Sequence, residues 1–316
     1  MKKLILSVLL IPAVFSAQQT VSRDPEIANY VSQVSADSLK SHINKLVSFG
    51  TRHTMSSTTD AKKGIGAARN WVLSKFKNYA KNSDGRMEVF LQSQTIQPDG
   101  KRINQPTDLG NAIAILRGTD PNDKRIFMIG GHLDSRVSDV MNAKDFAPGA
   151  NDDGSGVGAV IESARILSQS KFPATIIFVA FSGEEQGLLG AKMLAEKAKN
   201  ENWQLEALLN NDMVGNNLSS ETNLINANQL RVFSEGLPQF DLDKKAQEIR
   251  NLGLENDGEA RQLARYIKEI GERYVDNLEV KLIYRNDRFL RGGDHTSFVN
   301  QGFSAVRLTE FNENYD

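Results

Sequence analysis

The stretch Ala174-Thr175-Ile176-Ile177-Phe178-Val179-Ala180-Phe181 constrains the fold more than any other. It is almost continuously apolar and rich in β-branched and aromatic residues. A strand facing water on one side alternates; one without alternation reads as covered on both faces. The run stops abruptly at Ser182-Gly183-Glu184-Glu185, and a helical pattern begins near Leu188. The same sequence of features recurs. Arg125-Ile126-Phe127-Met128-Ile129 leads into Gly130-Gly131-His132-Leu133-Asp134, and residues 205–209 lead into Asn210-Asn211-Asp212. Strand, polar tip and helix, repeated, predict an α/β fold: a mixed, largely parallel twisted sheet with helices on both faces.

Around this frame, a helix is predicted over 37–46, where Leu39, Ile43 and Leu46 recur at steps of four and three, with Asp37 or Ser38 as N-cap. A second is predicted over 61–76, where Ile65, Ala68, Val72 and Phe76 share a face. Further strands are expected at 87–91, 112–116, 223–227, 278–284 and 304–308, and helices at 156–167 and 259–274. Between the first two helices, Phe49-Gly50-Thr51-Arg52-His53-Thr54 is a polar loop to which the residues alone attach no function.

The chain starts Met1-Lys2-Lys3, continues through an apolar run to Phe15 and reaches Ser16-Ala17. That pattern predicts a secretory signal over residues 1–17, cleaved near Ser16 or Ala17, and so a secreted or periplasmic protein with no membrane span after its removal. A formal net charge of −1 and the lack of a basic stripe with interleaved aromatics argue against a nucleic-acid partner. The absence of cysteine excludes disulfides, thiolate chemistry and cysteine-type zinc sites.

In open α/β sheets, ligands sit at the carboxyl ends of the strands. His132, Glu184, Glu185 and Asp212 fall just past such ends. Of the chain's four histidines, His132 and His295 lie in glycine-rich contexts with an aspartate nearby. The turn-forming stretch Ala150-Asn151-Asp152-Asp153-Gly154-Ser155-Gly156 adds two adjacent carboxylates ahead of a helix. Imidazole and carboxylate together suit a divalent ion, zinc most commonly. His132, Asp152, Glu185, Asp212 and His295 are too many for one open tetrahedral site. Two ions sharing a carboxylate, roughly 3.5–4 Å apart, fit the set better and can act on both the attacking and the polarised oxygen of a reaction. On an extended backbone the adjacent Glu184 and Glu185 point opposite ways, so one can bind metal while the other faces substrate. Asp134, two residues after His132, is placed to accept the imidazole's other ring proton.

In chain order, Gly131-His132-Leu133-Asp134, Gly149-Ala150-Asn151-Asp152-Asp153-Gly154-Ser155-Gly156, Ser182-Gly183-Glu184-Glu185, Asn211-Asp212-Met213 and Gly293-Asp294-His295-Thr296-Ser297-Phe298 resemble the motifs of the two-zinc aminopeptidases related to bacterial leucyl aminopeptidase. The loop 49–54 resembles a segment those enzymes carry near the N-terminus. The resemblance implies a zinc-exopeptidase-like fold in a single metallopeptidase domain over 18–316, with two Zn2+, acting on the N-termini of peptides or proteins. It implies that His132, Asp152 and Asp212 hold one ion, and that Asp152, Glu185 and His295 hold the other, Asp152 bridging. It makes Glu184 the general base, taking a proton from the attacking water and delivering it to the leaving amine. It has Asp153 shape the backbone around Asp152, where the family often carries a strained peptide. The oxyanion donor does not transfer by position; Tyr284 and Arg291 are the candidates. Family members usually continue into a closing helix, so the resemblance implies a chain truncated at Asp316.

Three alternatives stay open. One is a carboxypeptidase or dipeptidase on the same metal core. A second is a glutaminyl cyclase-like acyltransferase, which resembles this fold but uses one zinc; a full ligand set for two ions argues against it. The third is a binding module that kept the fold and lost catalysis, against which the intact Glu184 and five ligands argue.

Overall fold

The computed structural model describes residues 22–235, 244–285 and 292–314; the predicted signal segment lies outside them. Among the described residues, eight strands form one sheet: β1 (Met87–Ile96), β2 (Thr107–Leu116), β3 (Arg125–His132), β4 (Thr175–Phe181), β5 (Gln204–Asn211), β6 (Gln229–Ser234), β7 (Glu279–Ile283) and β8 (Ala305–Glu310), in the order β1-β2-β4-β3-β5-β8-β6-β7. The centre is parallel: β3 pairs with β4 and β5, and β5 pairs with β8. β1 and β2 form an antiparallel margin joined antiparallel to β4. On the other side, β6 joins β8 antiparallel and β7 parallel. This is the mixed, largely parallel sheet that the strand, tip and helix pattern predicts.

The helices are α1 (Pro25–Ser32), α2 (Ala36–Val47), α3 (Gly64–Ala80), α4 (Gly154–Leu167), α5 (Leu189–Asn200), α6 (Lys244–Leu252), α7 (Glu259–Tyr274) and α8 (Asp294–Val299), with a 3-10 turn at Leu254–Asp257. They cover both faces. Ala112, Ala114, Leu116, Phe178 and Ala180 pack under α2, α3 and α4. Their strand neighbours Ile113, Ile115, Ile177, Val179 and Phe181 pack under α5 and α8. Adjacent residues of β2 and β4 thus enter opposite cores, which is why β4 needs no polar alternation. Val232, Val280 and Val306 form a third cluster with Ala260 and Ala264 of α7.

The structure corrects several local expectations. α2 is capped by Ser35, whose side chain accepts from Ser38 N, rather than by Asp37 or Ser38. α3 begins at Gly64, not at 61. Gly64 has φ +81°, and a Cβ there would lie 2.6 Å from the Ser57 carbonyl, so the chain needs glycine to enter the helix. No strand forms at 223–227, where Leu218 and Ile225 make a single isolated bridge; the strand starts at Gln229, next to β8. Its place in the sheet comes from a partner distant in sequence, which local periodicity cannot register. α1 and α8 are also unforeseen: α1 has no buried residue, and α8 is too short to show a periodic face.

Candidate metal centre

The carboxyl ends of β4, β3 and β5 are neighbours in the sheet, so their tips converge on one cleft. It is lined by His132, Asp152, Glu184, Glu185, Asp212 and, beyond the expected set, by Arg102, Arg136 and Arg307 among others. His132, Asp152 and Asp212 each offer a ligand atom, and these atoms lie within 4.8 Å of one another. His132 Nε2 is 3.0 Å from Asp152 Oδ1 and 3.9 Å from Asp212 Oδ1.

Second contacts fix these groups. His132 Nδ1 lies 3.0 Å from the Asp134 backbone carbonyl, which can only accept, so Nδ1 carries a proton and Nε2 is the nitrogen turned to the acids. The expected orienting group was the Asp134 carboxylate. That carboxylate is engaged elsewhere. It accepts from the backbone N–H groups of Gly183, Glu184 and Glu185, at 2.8, 3.2 and 3.1 Å, and shapes the β4 tip. Asp153 performs the expected service for its neighbour. It caps α4 through Gly156 N and also accepts from His132 N and Met213 N, tying the tips of β3 and β5 together. The Asp152–Asp153 peptide is cis. Gly156 is required because a Cβ there would sit 2.3 Å from the Asn211 carbonyl. The glycines of this motif therefore let α4 crowd β5.

Glu184 and Glu185 do not lie on an extended backbone. Gly187 N and Leu188 N both donate to the Glu184 carbonyl, forming a turn, and both side chains line the cleft. Glu185 Oε2 is 2.6 Å from Arg136 Nε, and Arg102 donates to the Glu185 carbonyl at 2.6 Å. Asp212 Oδ1 is 3.0 Å from Arg307 Nη2. His295 lies fully buried on the first turn of α8, outside the His132–Asp152–Asp212 cluster. Gly293 brings it near. The position a Cβ would take there is 3.2 Å from Asp212 Oδ2 and 3.3 Å from His295 Nδ1. Tyr284 stacks on Arg261, 4.9 Å from ring centroid to guanidinium, and is 43% exposed. It does not line the cleft. Arg291 lies outside the described residues.

The electrostatics are those of a site with surplus negative charge. Burial, with like charges around it, raises the carboxyls of Glu184 and Asp153 well above their usual range. Burial and Asp152 push Glu185 up to about 7, and burial raises Asp294 to about 8. Both Asp294 oxygens are buried without a hydrogen-bond partner among the described residues. Burial works against a charged His132, but the Asp152 hydrogen bond and the surrounding acids outweigh it and raise its pKa well above normal. Burial also opposes Asp152, yet the His132 bond and charge hold it below its usual value. Crowded carboxylates that resist ionisation for want of cations, beside an imidazole whose Nε2 faces them, fit divalent zinc.

Arg136, Arg307 and Asp294 were missed from sequence. A signal for Arg307 existed: it is the one charge inside the apolar run Ala305-Val306-Arg307-Leu308 and is only 4% exposed. A charge in a covered strand needs a partner in the site.

Comparisons with known proteins bear on the family and the fold. The model of the family described as Peptidase family M28 matches residues 111–316. A probable zinc metalloprotease of Leptosphaeria maculans is 44% identical over 93% of the chain and 67% of its own length. One from Pyricularia oryzae is 42% identical over 93% of the chain and 58% of its own length, so the chain spans only part of these relatives. Among solved structures, Legionella pneumophila LapA aligns with a TM-score of 0.67 at 20% identity, over 93% of this chain and 68% of that one. Porphyromonas gingivalis glutaminyl cyclase aligns at 0.58 and 20%, over 89% and 86%. At such identities these two structures speak to the fold.

Proposed function

The chain belongs to peptidase family M28, and on that premise we propose that it is a zinc-dependent exopeptidase that releases N-terminal residues from peptides. The observation that carries the reading is the convergence of His132, Asp152 and Asp212 at the carboxyl edge of the sheet, beside two acids whose ionisation burial opposes. The relatives' description as probable zinc metalloproteases supports the choice of metal.

We assign one zinc to His132, Asp152 and Asp212, and a second to Asp152, Glu185 and His295, with Asp152 shared. Zinc held there polarises a peptide carbonyl and lowers the pKa of water. Glu184 is the proton carrier, accepting a proton from the attacking water and returning it to the leaving amine. Added positive charge pulls its raised pKa back down, by the same attraction that His132 already exerts. Arg136 and Arg307 hold Glu185 and Asp212 in orientation through one oxygen each. The pattern of residues 1–17 supports an exported protein, and no described helix is long and apolar enough to cross a membrane.

A glutaminyl cyclase-like reading keeps one observation in its favour, the single converged ligand triad. Turnover of free and N-blocked peptides, with and without chelator, separates the two. The peptidase reading expects chelator-sensitive release of the first residue from free N-termini. Cyclisation of N-terminal glutamine without such release would overturn it.

A further inference from the structure

Arg52 lies in the polar loop between α2 and α3 and is 1% exposed, yet no carboxylate comes within ion-pairing distance of it among the described residues. Its guanidinium is spent on carbonyls instead. Nε donates to Leu133 O at 2.7 Å, Nη1 to Pro148 O at 2.6 Å and to Leu46 O at 3.3 Å, and Nη2 to Gly149 O at 2.9 Å. Its backbone N–H donates to Ser135 Oγ, which in turn donates to Ala147 O.

Those carbonyls are not scattered. Leu133 directly follows His132. Gly149 opens the turn that carries Asp152, and its carbonyl also accepts from Gly154 N, where that turn closes. One rigid, planar group therefore grips the backbone next to one ligand and at the start of the turn bearing another. Burial draws the guanidinium down only to about 10, so it stays charged at neutral pH, favoured by the nearby Asp134, Asp153 and Asp152. The same loop makes a second attachment: Thr54 Oγ1 lies 3.2 Å from Asp134 Oδ2 and bonds Gln186 beyond the β4 tip.

We infer that Arg52 is a positioning residue for the metal centre: by clamping the Leu133, Pro148 and Gly149 carbonyls it sets the separation of His132 from Asp152. The inference rests on the zinc reading above. A lysine keeps the charge but presents a single point of donors and cannot bridge three carbonyls in one plane.

The test is Zn2+ calorimetry on the metal-stripped full chain, with the visible spectrum of the Co2+-loaded protein as a report of ligand geometry. Wild type is compared with Arg52→Met and Arg52→Lys, and thermal unfolding verifies that each is folded. We expect zinc affinity to fall about 10–100-fold in Arg52→Met, as for other partners that orient ligands, with a smaller fall in Arg52→Lys and an altered cobalt spectrum in both. If Arg52→Met does not fold, Arg52→Lys carries the comparison. Folded variants with lower melting temperature but wild-type zinc affinity and cobalt spectrum would overturn the inference and leave Arg52 a purely structural clamp. A wild-type chain that binds no zinc would instead overturn the metal reading itself.

Discussion

Glu162 and the acids of the cleft are buried in the same protein and behave in opposite ways. Glu162, on α4, is 2% exposed. It accepts from Ser35 N and takes both oxygens to Arg165, at 2.6 and 2.9 Å. Burial works against its charge, but those bonds win and pull it down to about 2. In the cleft, burial wins: Glu185 rises to about 7 and Asp294 to about 8. The supply of donors and cations separates them, and the cleft acids also lie deeper. A structural carboxylate brings its own partner. The cleft gathers more negative charge than Arg136, Arg307 and His132 neutralise, and that deficit is what bound zinc would offset.

Four experiments probe that contrast. The largest effect is expected from Glu184→Gln, which removes the proposed proton carrier and none of the proposed ligands. Turnover should fall on the order of 10²–10⁴-fold while calorimetry finds zinc binding retained; unchanged turnover would remove Glu184 from its role. Next is Arg307→Met. It strips one of the cleft's few cations from Asp212 and should destabilise the metal-free chain by about 3 kcal/mol, the usual cost of leaving one member of a buried pair alone. Zinc should restore part of this loss in chemical denaturation, whereas a structural pair would gain nothing from zinc.

On the other side of the comparison, Glu162→Gln should cost about 2 kcal/mol at neutral pH through its charge-assisted bonds. Its carboxyl is lowered on folding from 4.5 to about 2, so the stabilisation is fully present above pH 4.5 and is lost as pH falls towards 2. Acid denaturation curves should show this loss in wild type and not in the variant. The cleft acids give the opposite sign. Their folded pKa values lie above the unfolded ones, so the metal-free fold binds the extra protons. Its stability should therefore drift down as pH rises from about 4 towards 8. Denaturant midpoints that rise over that window would break the contrast.

Much of this is legible in the amino-acid order alone. β4 announces a sheet covered on both faces, because continuous apolarity has few other causes in a short run. His132, Asp152 and Asp212 are legible because each stands at a strand end or in a turn that glycines mark. What stays hidden depends on contacts across the chain. β6 exists because β8 and β7 flank it, not because 223–227 is polar or apolar. Arg52 looks like any loop arginine until the loop folds under Leu133 and Gly149. The Asp134 carboxylate is matched to the wrong partner because spacing by two residues cannot tell a side-chain acceptor from the backbone carbonyl beside it.

In the proposed centre, Asp152 is the carboxylate that two zinc ions would share. Titration of Zn2+ into the metal-stripped full chain, for wild type and Asp152→Asn, tests it most directly. Two zinc ions per wild-type chain are expected, with a loss of affinity for both in the variant. A single ion bound with the same affinity in both proteins would contradict it.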